Sequence, residues 1–519
     1  MANKTLFKSL VGKLIPATNA INEERAPAYA LSPKHQLAQY AATGCLNTTF
    51  YATADEQLAQ MLALCAAVDA EFIARTAVFC RERGFMKDMP ALLTASLSVK
   101  DRELLARIFP RVIDNAKMLR NFVQIMRSGV VGRKSLGSAP KRLVREWLDA
   151  RDPAVLFKSS VGQDPSLADI LKMVHPKPKD AAREALFGYF IGRDYAFEAM
   201  PDIVREYELF KKDRSREVPD VPFQMLTALE LGTPEWTAIA RRAPWQMTRM
   251  NLNTFARHGV FGVEGMSELI ADRLRDAKAI AKARVFPYQL LIAYAMAKTN
   301  AEIPREVCDA LQDAMEIAIA NVPAIAGRVF VCPDVSGSML SPLTGHRAGA
   351  TTAVCCIDVA ALVAAAVLRK NPQAEVLPFE CDVVNVSLNS RDSVMTNAAK
   401  LAAIGGGGTN CSAPLAELNR RKAKGDLVIF VSDYESWVDA RGGRGTEMMR
   451  EWNVFKQRNP EARLACIDVQ PYRTVQAIER EDILNVGGFS DRVFDVISEF
   501  ARGELNADHW VGVIDSVTL

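Results

Sequence analysis

The stretch Val329-Phe-Val-Cys-Pro-Asp-Val-Ser-Gly-Ser338 joins a short apolar strand to a loop that carries one carboxylate and two hydroxyl groups. Strand and helix patterns alternate after it, which is typical of a doubly wound, mostly parallel sheet. The predicted strands cover residues 329–332, 375–379, 383–386, 427–431 and 464–469. Three helices are predicted between them: one that ends near residue 368, one over residues 414–422 and one over residues 446–458. The sequence therefore predicts an α/β fold for residues 328–519.

Oxygen-bearing side chains follow three segments of this predicted fold. Ligands of a parallel sheet bind at the carboxyl ends of its strands, and Mg²⁺ prefers oxygen ligands. We therefore predict a site for a divalent metal ion, expected to be Mg²⁺. A simple strand-end turn formed by aspartate and serine is the alternative. The candidate ligands are Asp334, Ser336, Ser338, Thr409 and Asp433.

The chain from about Ser32 to Val322 has a different pattern of apolar residues. Apolar residues recur at three- and four-residue spacing, and strand-like runs are few. Helices are predicted over residues 57–65, 71–80, 90–98 and 103–113. Short successive helices without strands between them favour an α-solenoid of the HEAT type, in which each helix pair buries its apolar face against its neighbours.

Charge divides the chain in the same place. Residues 1–326 carry 44 Lys and Arg against 37 Asp and Glu, whereas residues 327–519 carry 20 against 24. Between Asn115 and Arg145 there is no acidic residue, and glycines at 129–137 predict an exposed loop within this stretch. A solvated helical face is the alternative, but the missing acidic partners favour binding of a polyanion such as RNA. The basic residues are Lys117, Arg120, Arg127, Arg133, Lys134, Lys141, Arg142 and Arg145.

Composition restricts the class of protein. The 519 residues are 49% hydrophobic and 24% charged, which is ordinary for a globular protein of several domains. Ten cysteines with no C-x-x-C pair, and no secretion-type N-terminus, favour the cytoplasm. The long apolar run from Thr351 to Leu368 contains Asp358, so a buried helix is expected there rather than a membrane span. The helical half has neither clustered carboxylates nor a histidine pair for nuclease chemistry, so no enzyme is predicted.

These motifs resemble a known arrangement. Asp334-Val-Ser-Gly-Ser338, Thr409 and Ser432-Asp433 resemble the metal-ion-dependent adhesion site of von Willebrand factor A domains. A basic helical module followed by such a domain resembles the Ro autoantigen family, whose helical part is the TROVE module. The local stretches that carry this second resemblance are residues 37–51 with Gly44 and Thr48-Thr-Phe-Tyr51, residues 75–93 with Arg81, Gly84, Asp88 and Pro90, and Lys141-Arg-Leu-Val-Arg-Glu-Trp147.

The resemblance implies a fold and a function. Residues 1–327 would form a ring of HEAT-like helical repeats, monomeric and closed by the Rossmann-like A domain at 328–519. Small noncoding Y RNAs would bind the basic outer surface, and single-stranded ends of misfolded or structured RNAs would enter the hole, for RNA quality control. Ser336, Ser338 and Thr409 would contact the metal directly, with Asp334 and Asp433 in support.

Further partners and positions follow from the same resemblance. Lys158 and His175 correspond to residues on the family's outer RNA surface, whereas Gly162 replaces a basic residue of some relatives, which weakens the expected Y RNA contact there. Bacterial relatives are associated with the exonuclease polynucleotide phosphorylase, a candidate partner. The alternative function is a metal-dependent protein-adhesion scaffold to which RNA binding is incidental.

Overall fold

The computed structural model describes residues 15–43, 46–283, 287–319, 322–343, 345–346, 354–437, 445–488, 491–505 and 509–519. Two compact units divide them. The sheet unit contains the described residues of Met1–Ala67, Phe286–Ile292 and Met315–Ser516, and the helical unit contains those of Val68–Val285, Ala293–Ala314 and Val517–Leu519. The domain bounds 1–327 and 328–519, and closure into a ring, stay predictions.

Helices dominate the described residues up to Ile319. The four helices predicted near the N-terminus are confirmed as α2 to α5. In chain order the helices are α1 (Pro33–Thr43), α2 (Ala54–Ala67), α3 (Ala70–Glu82), α4 (Asp88–Lys100), α5 (Arg102–Val112), α6 (Ala116–Ser128), α7 (Ser138–Asp149), α8 (Pro153–Lys158), α9 (Leu167–Val174), α10 (Ala181–Ile191), α11 (Asp202–Lys212), α12 (Phe223–Leu226), α13 (Thr233–Arg242), α14 (Trp245–Met250), α15 (Leu252–Arg257), α16 (Met266–Arg275), α17 (Ala277–Ala283), α18 (Pro287–Lys298) and α19 (Arg305–Ile319).

Capping residues set where several of these helices begin. The Asp69 side chain accepts a hydrogen bond from the backbone N–H of Phe72, and Asp101 caps α5 in the same way. Asn115 caps α6 through the N–H of Met118. Such side chains satisfy backbone donors that the first helical turn leaves free. Within the helical unit α3 packs on α4 and α5, and α4 on α6, which is the near-neighbour packing of a solenoid.

A five-stranded parallel sheet lies at the centre of the sheet unit. Its order is β4-β3-β5-β6-β8, the doubly wound arrangement whose switch point falls between β3 and β5. Both faces of β3 and β5 are buried. The strands are β1 (Ala20–Ile21), β2 (Pro27–Ala30), β3 (Val329–Pro333), β4 (Glu375–Val376), β5 (Leu427–Ser432), β6 (Arg463–Asp468), β7 (Thr474–Val475) and β8 (Ile483–Gly487), and the remaining helices are α20 (Cys356–Lys370), α21 (Val394–Ala402), α22 (Ala413–Arg420), α23 (Glu447–Arg458), α24 (Asp491–Ala501) and α25 (His509–Asp515).

Two strand predictions need correction. Residues 383–386 do not form a strand, because the chain turns back at Glu380, whose N–H donates to the carbonyl of Asp382, and only Val383 bridges to Phe379. The strand predicted over residues 375–379 is shorter than expected: only Glu375–Val376 pair with β3 as the strand β4, and Phe379 makes a single bridge to Asp334. The sequence reading also missed β8, which completes the sheet beside β6.

The long apolar run forms the buried helix α20, with residues 351–353 outside the described part of the chain. Asp358 is explained by its position in the first turn, where its carboxylate accepts a hydrogen bond of 2.9 Å from the N–H of Cys355. Among the described residues, every helix is too short or too polar to span a bilayer.

Candidate metal centre and basic surface

The loops after β3 and β5 lie side by side because these strands are neighbours in register, with Pro333 opposite Val431. Asp334 is held from two directions. Its Oδ1 accepts from the N–H of Ser336 at 2.8 Å, and its Oδ2 accepts from the hydroxyl of Ser432 at 2.5 Å. The sheet register therefore brings the two predicted loop segments, Asp334 and Ser432-Asp433, into one place.

The three predicted hydroxyl ligands also converge. Thr409 Oγ1 donates to Ser336 Oγ at 2.9 Å, and Ser336 Oγ lies 3.4 Å from Ser338 Oγ. The glycine loop approaches closely because the N–H of Gly337 donates to the carbonyl of Gly407. Gly407 has φ of +71°, so a side chain at this position would be strained, and its Cβ would lie 2.1 Å from a carboxylate oxygen of Glu380, which would have to move.

Electrostatics at this site suit a cation. Asp334 and Asp433 are both fully buried. Burial and the charge of Asp433 raise the pKa of Asp334 to about 7, and burial raises the pKa of Asp433 above its usual range. In the described part of the chain, no Lys or Arg forms an ion pair with either carboxylate. Buried charges need such compensation, which an oxygen-preferring cation would supply.

The hydroxyl groups are essential to this fit. Over the described residues, His, Cys, Asp and Glu side chains nowhere gather in threes as ligands of one metal ion. The converging set is instead two carboxylates and three hydroxyls. Such a set is appropriate for Mg²⁺, which accepts oxygen ligands and keeps several waters, and inappropriate for softer metals.

Two further carboxylates border the site, and the predicted ligand set did not include them. Burial, followed by the charge of Asp433, raises the pKa of Glu435 and of Asp468 well above their ordinary values. One oxygen of each, Glu435 Oε1 and Asp468 Oδ2, is buried without a hydrogen-bond partner among the described residues. Asp468 ends β6, so the strand-end rule that found Asp334 and Asp433 could have found it as well.

An N-terminal hairpin buttresses the loop after β5. Strands β1 and β2 pair with each other, and β2 pairs with β7, all antiparallel. The side-chain amide of Asn22 donates to the carbonyl of Ser436 at 2.6 Å, and the N–H of Glu23 donates to Glu435 Oε2 at 2.7 Å. These bonds could not be predicted from sequence patterns, because they join residues more than 400 positions apart.

Exposed apolar side chains flank the metal centre. Leu340 is 48% exposed and Trp437 is 45% exposed. The Trp437 ring covers Gly408, where a Cβ would lie 2.3 Å from the indole nitrogen, and Leu340 covers Gly405. The carbonyl of Thr409 accepts from the N–H of Trp437, which ties this ring to a candidate ligand. The site therefore has an apolar rim.

The predicted basic surface lies on α6, α7 and the loop between them. Residues 129–137 form that loop, as the glycines predicted. Arg120, Arg133 and Lys141 are half-buried. The remaining five basic side chains of the stretch are exposed: Lys117, Arg127, Lys134, Arg142 and Arg145.

Several of these side chains have structural partners. Arg133 donates to the carbonyl of Ser98 at 3.1 Å, and Arg145 donates to the carbonyl of Val174. Arg142 forms a long ion pair of 3.6 Å with Glu146, and both side chains are exposed. Arg133 and Arg145 therefore hold helices together in addition to contributing charge.

The two positions assigned by resemblance adjoin the same surface. Arg120 donates to the carbonyl of Ser159, next to Lys158, and its guanidinium lies against Gly162. His175 ends α9 with φ of 50° and is exposed, as its two following prolines predicted. Lys158 is not a free cation, because it forms an ion pair of 2.7 Å with Asp220.

The order of the parallel sheet, with candidate ligands at its strand ends, is that of a von Willebrand factor A type of domain, joined in this chain to a helical module. Comparison with known proteins agrees. Residues 328–501 match the family model of the Ro60 vWA domain. The predicted resemblance to the Ro family is thereby confirmed for this domain, and the following relatives extend it along the chain.

The protein named RNA-binding protein RO60 of Deinococcus radiodurans is 24% identical, over 97% of this chain and 100% of its own. The protein of the same name from Caenorhabditis elegans is 22% identical, over 59% of this chain and 48% of its own. The crystal structure of the Deinococcus radiodurans RO (RSR) protein superimposes with a TM-score of 0.64 at 21% identity, covering 91% of this chain and 100% of that one. That likeness shows a shared fold, and it confirms the predicted combination of a helical module with an α/β domain.

Proposed function

We propose that this chain is a noncatalytic RNA-binding protein. It would bind Y-type small RNAs on the basic outer surface and single-stranded ends of misfolded or structured RNAs in a central hole, and it would act in RNA quality control in the cytoplasm. Both curated relatives are named RNA-binding proteins. Polynucleotide phosphorylase is the partner we propose, on the basis of the family resemblance.

The basic surface is the observation that carries this proposal. Five cations are exposed between Asn115 and Arg145, a stretch with no acidic residue of its own. Arg142 has a long, exposed ion pair of 3.6 Å with the neighbouring Glu146. Attraction of phosphates to such a surface is independent of sequence and strongly salt-dependent. Binding of unpaired strands adds a requirement for single-stranded ends.

The metal centre has a supporting role in this proposal. Ser336, Ser338 and Thr409 would hold Mg²⁺, with Asp334 and Asp433 accepting bonds from its waters. When bound, the ion would supply a coordination position for a carboxylate of a partner protein. The chain's own residues fix that position: Ser432 orients Asp334, and Asn22 holds the loop at Ser436.

The test is a salt series of RNA affinities. Lys117, Arg127 and Lys134 are the best residues to reverse, because each is exposed and the bonds of Arg133 and Arg145 are left intact. A structured RNA with a single-stranded 3′ tail should bind the parent more tightly than the same RNA without it. The triple reversal to glutamate should reduce the salt slope by about 3, because each phosphate contact contributes roughly 0.9.

A charge-matched control separates the effect of removing this basic surface from the effect of lowering the net charge of the whole protein. Reversal of the exposed Arg391, Lys422 and Lys424 on the sheet unit changes net charge equally and should leave the salt slope unchanged. Equal effects of the two triple variants, or indifference to the tail, would contradict the proposal. Cleavage of the RNA that survives repurification and disappears with Asp334→Ala would contradict its noncatalytic part.

A metal-dependent adhesion scaffold is the second candidate. The exposed rim of Leu340 and Trp437 beside the metal centre favours it, because exposed apolar side chains around a charged anchor are typical of protein interfaces. Both activities of the parent, measured together, distinguish the two functions. A parent that binds polynucleotide phosphorylase with Mg²⁺ but not with a chelator, and whose RNA affinity is indifferent to the tail and to reversal of Lys117, Arg127 and Lys134, would favour the scaffold.

A further inference from the structure

The helical unit contains an apolar cavity of about 550 Å³ near α8 and α12 to α14. Its apolar lining includes Phe223, Leu226, Ile239, Met247 and Met250. Met250 is 67% exposed, which is unusual for so large an apolar side chain. A cavity of this size and lining is suited to a planar organic ligand.

Two cations, Lys158 and Arg242, stand at the rim of this cavity. Among the described residues, Arg242 forms only a long ion pair of 3.9 Å with Glu217, whose side chain is almost fully exposed. Lys158 Nζ lies 2.7 Å from Asp220 Oδ2. The hydrogen bond and charge of Lys158, with a further contribution from Arg242, hold the pKa of Asp220 below its usual value. Asp220 therefore occupies a position that favours an anion.

The wall also offers a polar group for recognition. Gln246 lines the cavity, and its Oε1 is buried without a hydrogen-bond partner among the described residues, so rotation of this side chain is needed to present the oxygen to a ligand. An amide oxygen accepts hydrogen bonds, so it could accept one from the exocyclic amino group of a base. An aliphatic peptide side chain would leave this oxygen and both rim cations unused.

We propose that this cavity binds one unpaired nucleobase of RNA. The base would pack between Phe223 and the methionines, and its phosphate would replace the Asp220 carboxylate on Lys158 and Arg242. This inference rests on the proposed RNA-binding function and adds a specific position at which a base is held. Stacking of this kind tolerates different bases, because each has a π-face.

The experiment compares two RNA hairpins that differ only in their single-stranded tails, one of adenosines and one of abasic nucleotides. The parent should bind the adenosine tail about tenfold more tightly. Phe223→Ala should remove most of that preference and leave affinity for the abasic tail unchanged. Met250→Ala, at an exposed position, should reduce the preference in the same direction and serves if Phe223→Ala does not fold.

Asp220→Asn tests the phosphate position. Removing the Asp220 charge should tighten binding of both tails severalfold, because Lys158 no longer has a competing carboxylate and, among the described residues, Arg242 keeps only its long ion pair with the exposed Glu217. Glu206→Gln, an exposed residue of α11, changes charge equally and should have a smaller effect. Equal effects of these two variants would overturn the phosphate assignment.

The remaining outcomes separate this inference from the proposed function. Failure of the parent to bind either hairpin would refute both. Tight binding with no preference between tails, or a preference that survives Phe223→Ala and Met250→Ala, would refute the base cavity alone and leave RNA binding to the basic surface.

Discussion

Replacing Asp334 by asparagine should stabilise the metal-free protein and abolish its response to Mg²⁺. Asp334 is fully buried beside Asp433, and its pKa of about 7 compares with 3.8 for a free aspartate. At pH 8 the ionised form is therefore disfavoured by up to about 4 kcal/mol, since each pKa unit corresponds to about 1.4 kcal/mol. Asparagine keeps an acceptor for the N–H of Ser336 and removes the charge.

Thermal unfolding in a chelator and in excess Mg²⁺ provides the assay. In chelator the unfolding free energy of the variant should exceed that of the parent by about 2 to 4 kcal/mol, which corresponds to a Tm higher by roughly 4 to 16 °C. On addition of Mg²⁺ at about 100 times its Kd, the parent should gain about 2.7 kcal/mol and the variant close to nothing. Removal of a charge that function requires commonly increases stability in this way.

A matched aspartate of the same unit should respond in the opposite direction. Although burial alone would raise its pKa, the hydrogen bond and charge of Arg480 keep the pKa of Asp482 below its usual value. Asp482→Asn should therefore destabilise the protein by about 1 to 3 kcal/mol in both buffers and retain the Mg²⁺ response. An Asp334→Asn variant that is less stable than the parent in chelator, or that gains as much from Mg²⁺, would refute the reasoning.

Four further substitutions test other parts of the molecule. Burial lowers the pKa of His35 to about 4, so the contribution of its neutral form to stability is full above pH 6.5 and is lost as the pH falls to 4. The difference in unfolding free energy between the parent and His35→Gln should therefore change by about 3 kcal/mol over that range. A difference that stays constant with pH would disprove this. Gly162→Ala should destabilise by about 1 to 3 kcal/mol in chemical denaturation, because φ is +119° and the new Cβ would lie 2.7 Å from the Arg120 guanidinium; an unchanged midpoint would count against this. Arg133→Ala should lower Tm, because it removes the hydrogen bond to the carbonyl of Ser98 in α4. Lys134→Ala should lower RNA affinity and leave Tm unchanged. Equal effects of the two variants on Tm would contradict this distinction.

The convergence of the candidate metal ligands was predictable because its signals are local. Each of the loops at Asp334 and Asp433 directly follows an apolar strand, so a strand-end rule finds them without any knowledge of packing. The same rule applied to β6 finds Asp468. The hairpin bond from Asn22 to Ser436 was beyond prediction, because nothing in either segment indicates the other.

The position of the basic surface was predictable, but which of its cations are engaged in structural bonds was not. Charge counting locates α6 and α7 but treats every cation alike. The bond from Arg133 to Ser98, and the ion pair of Lys158 with Asp220, arise from helices that meet only in the folded chain. The strand predicted at 383–386 failed for a similar reason, since an apolar run does not reveal whether the chain turns back before reaching the sheet.

The hydrogen bond between Asn22 and Ser436 has a consequence for the order of events during synthesis. Its two residues are 414 positions apart, so a ribosome adding roughly 5 to 20 residues per second needs about 20 to 80 s to produce the second after the first. The helices that carry the basic surface leave the ribosome during this interval. The nascent chain therefore exposes its cationic helices to cellular RNA well before the loop that follows β5 has been made.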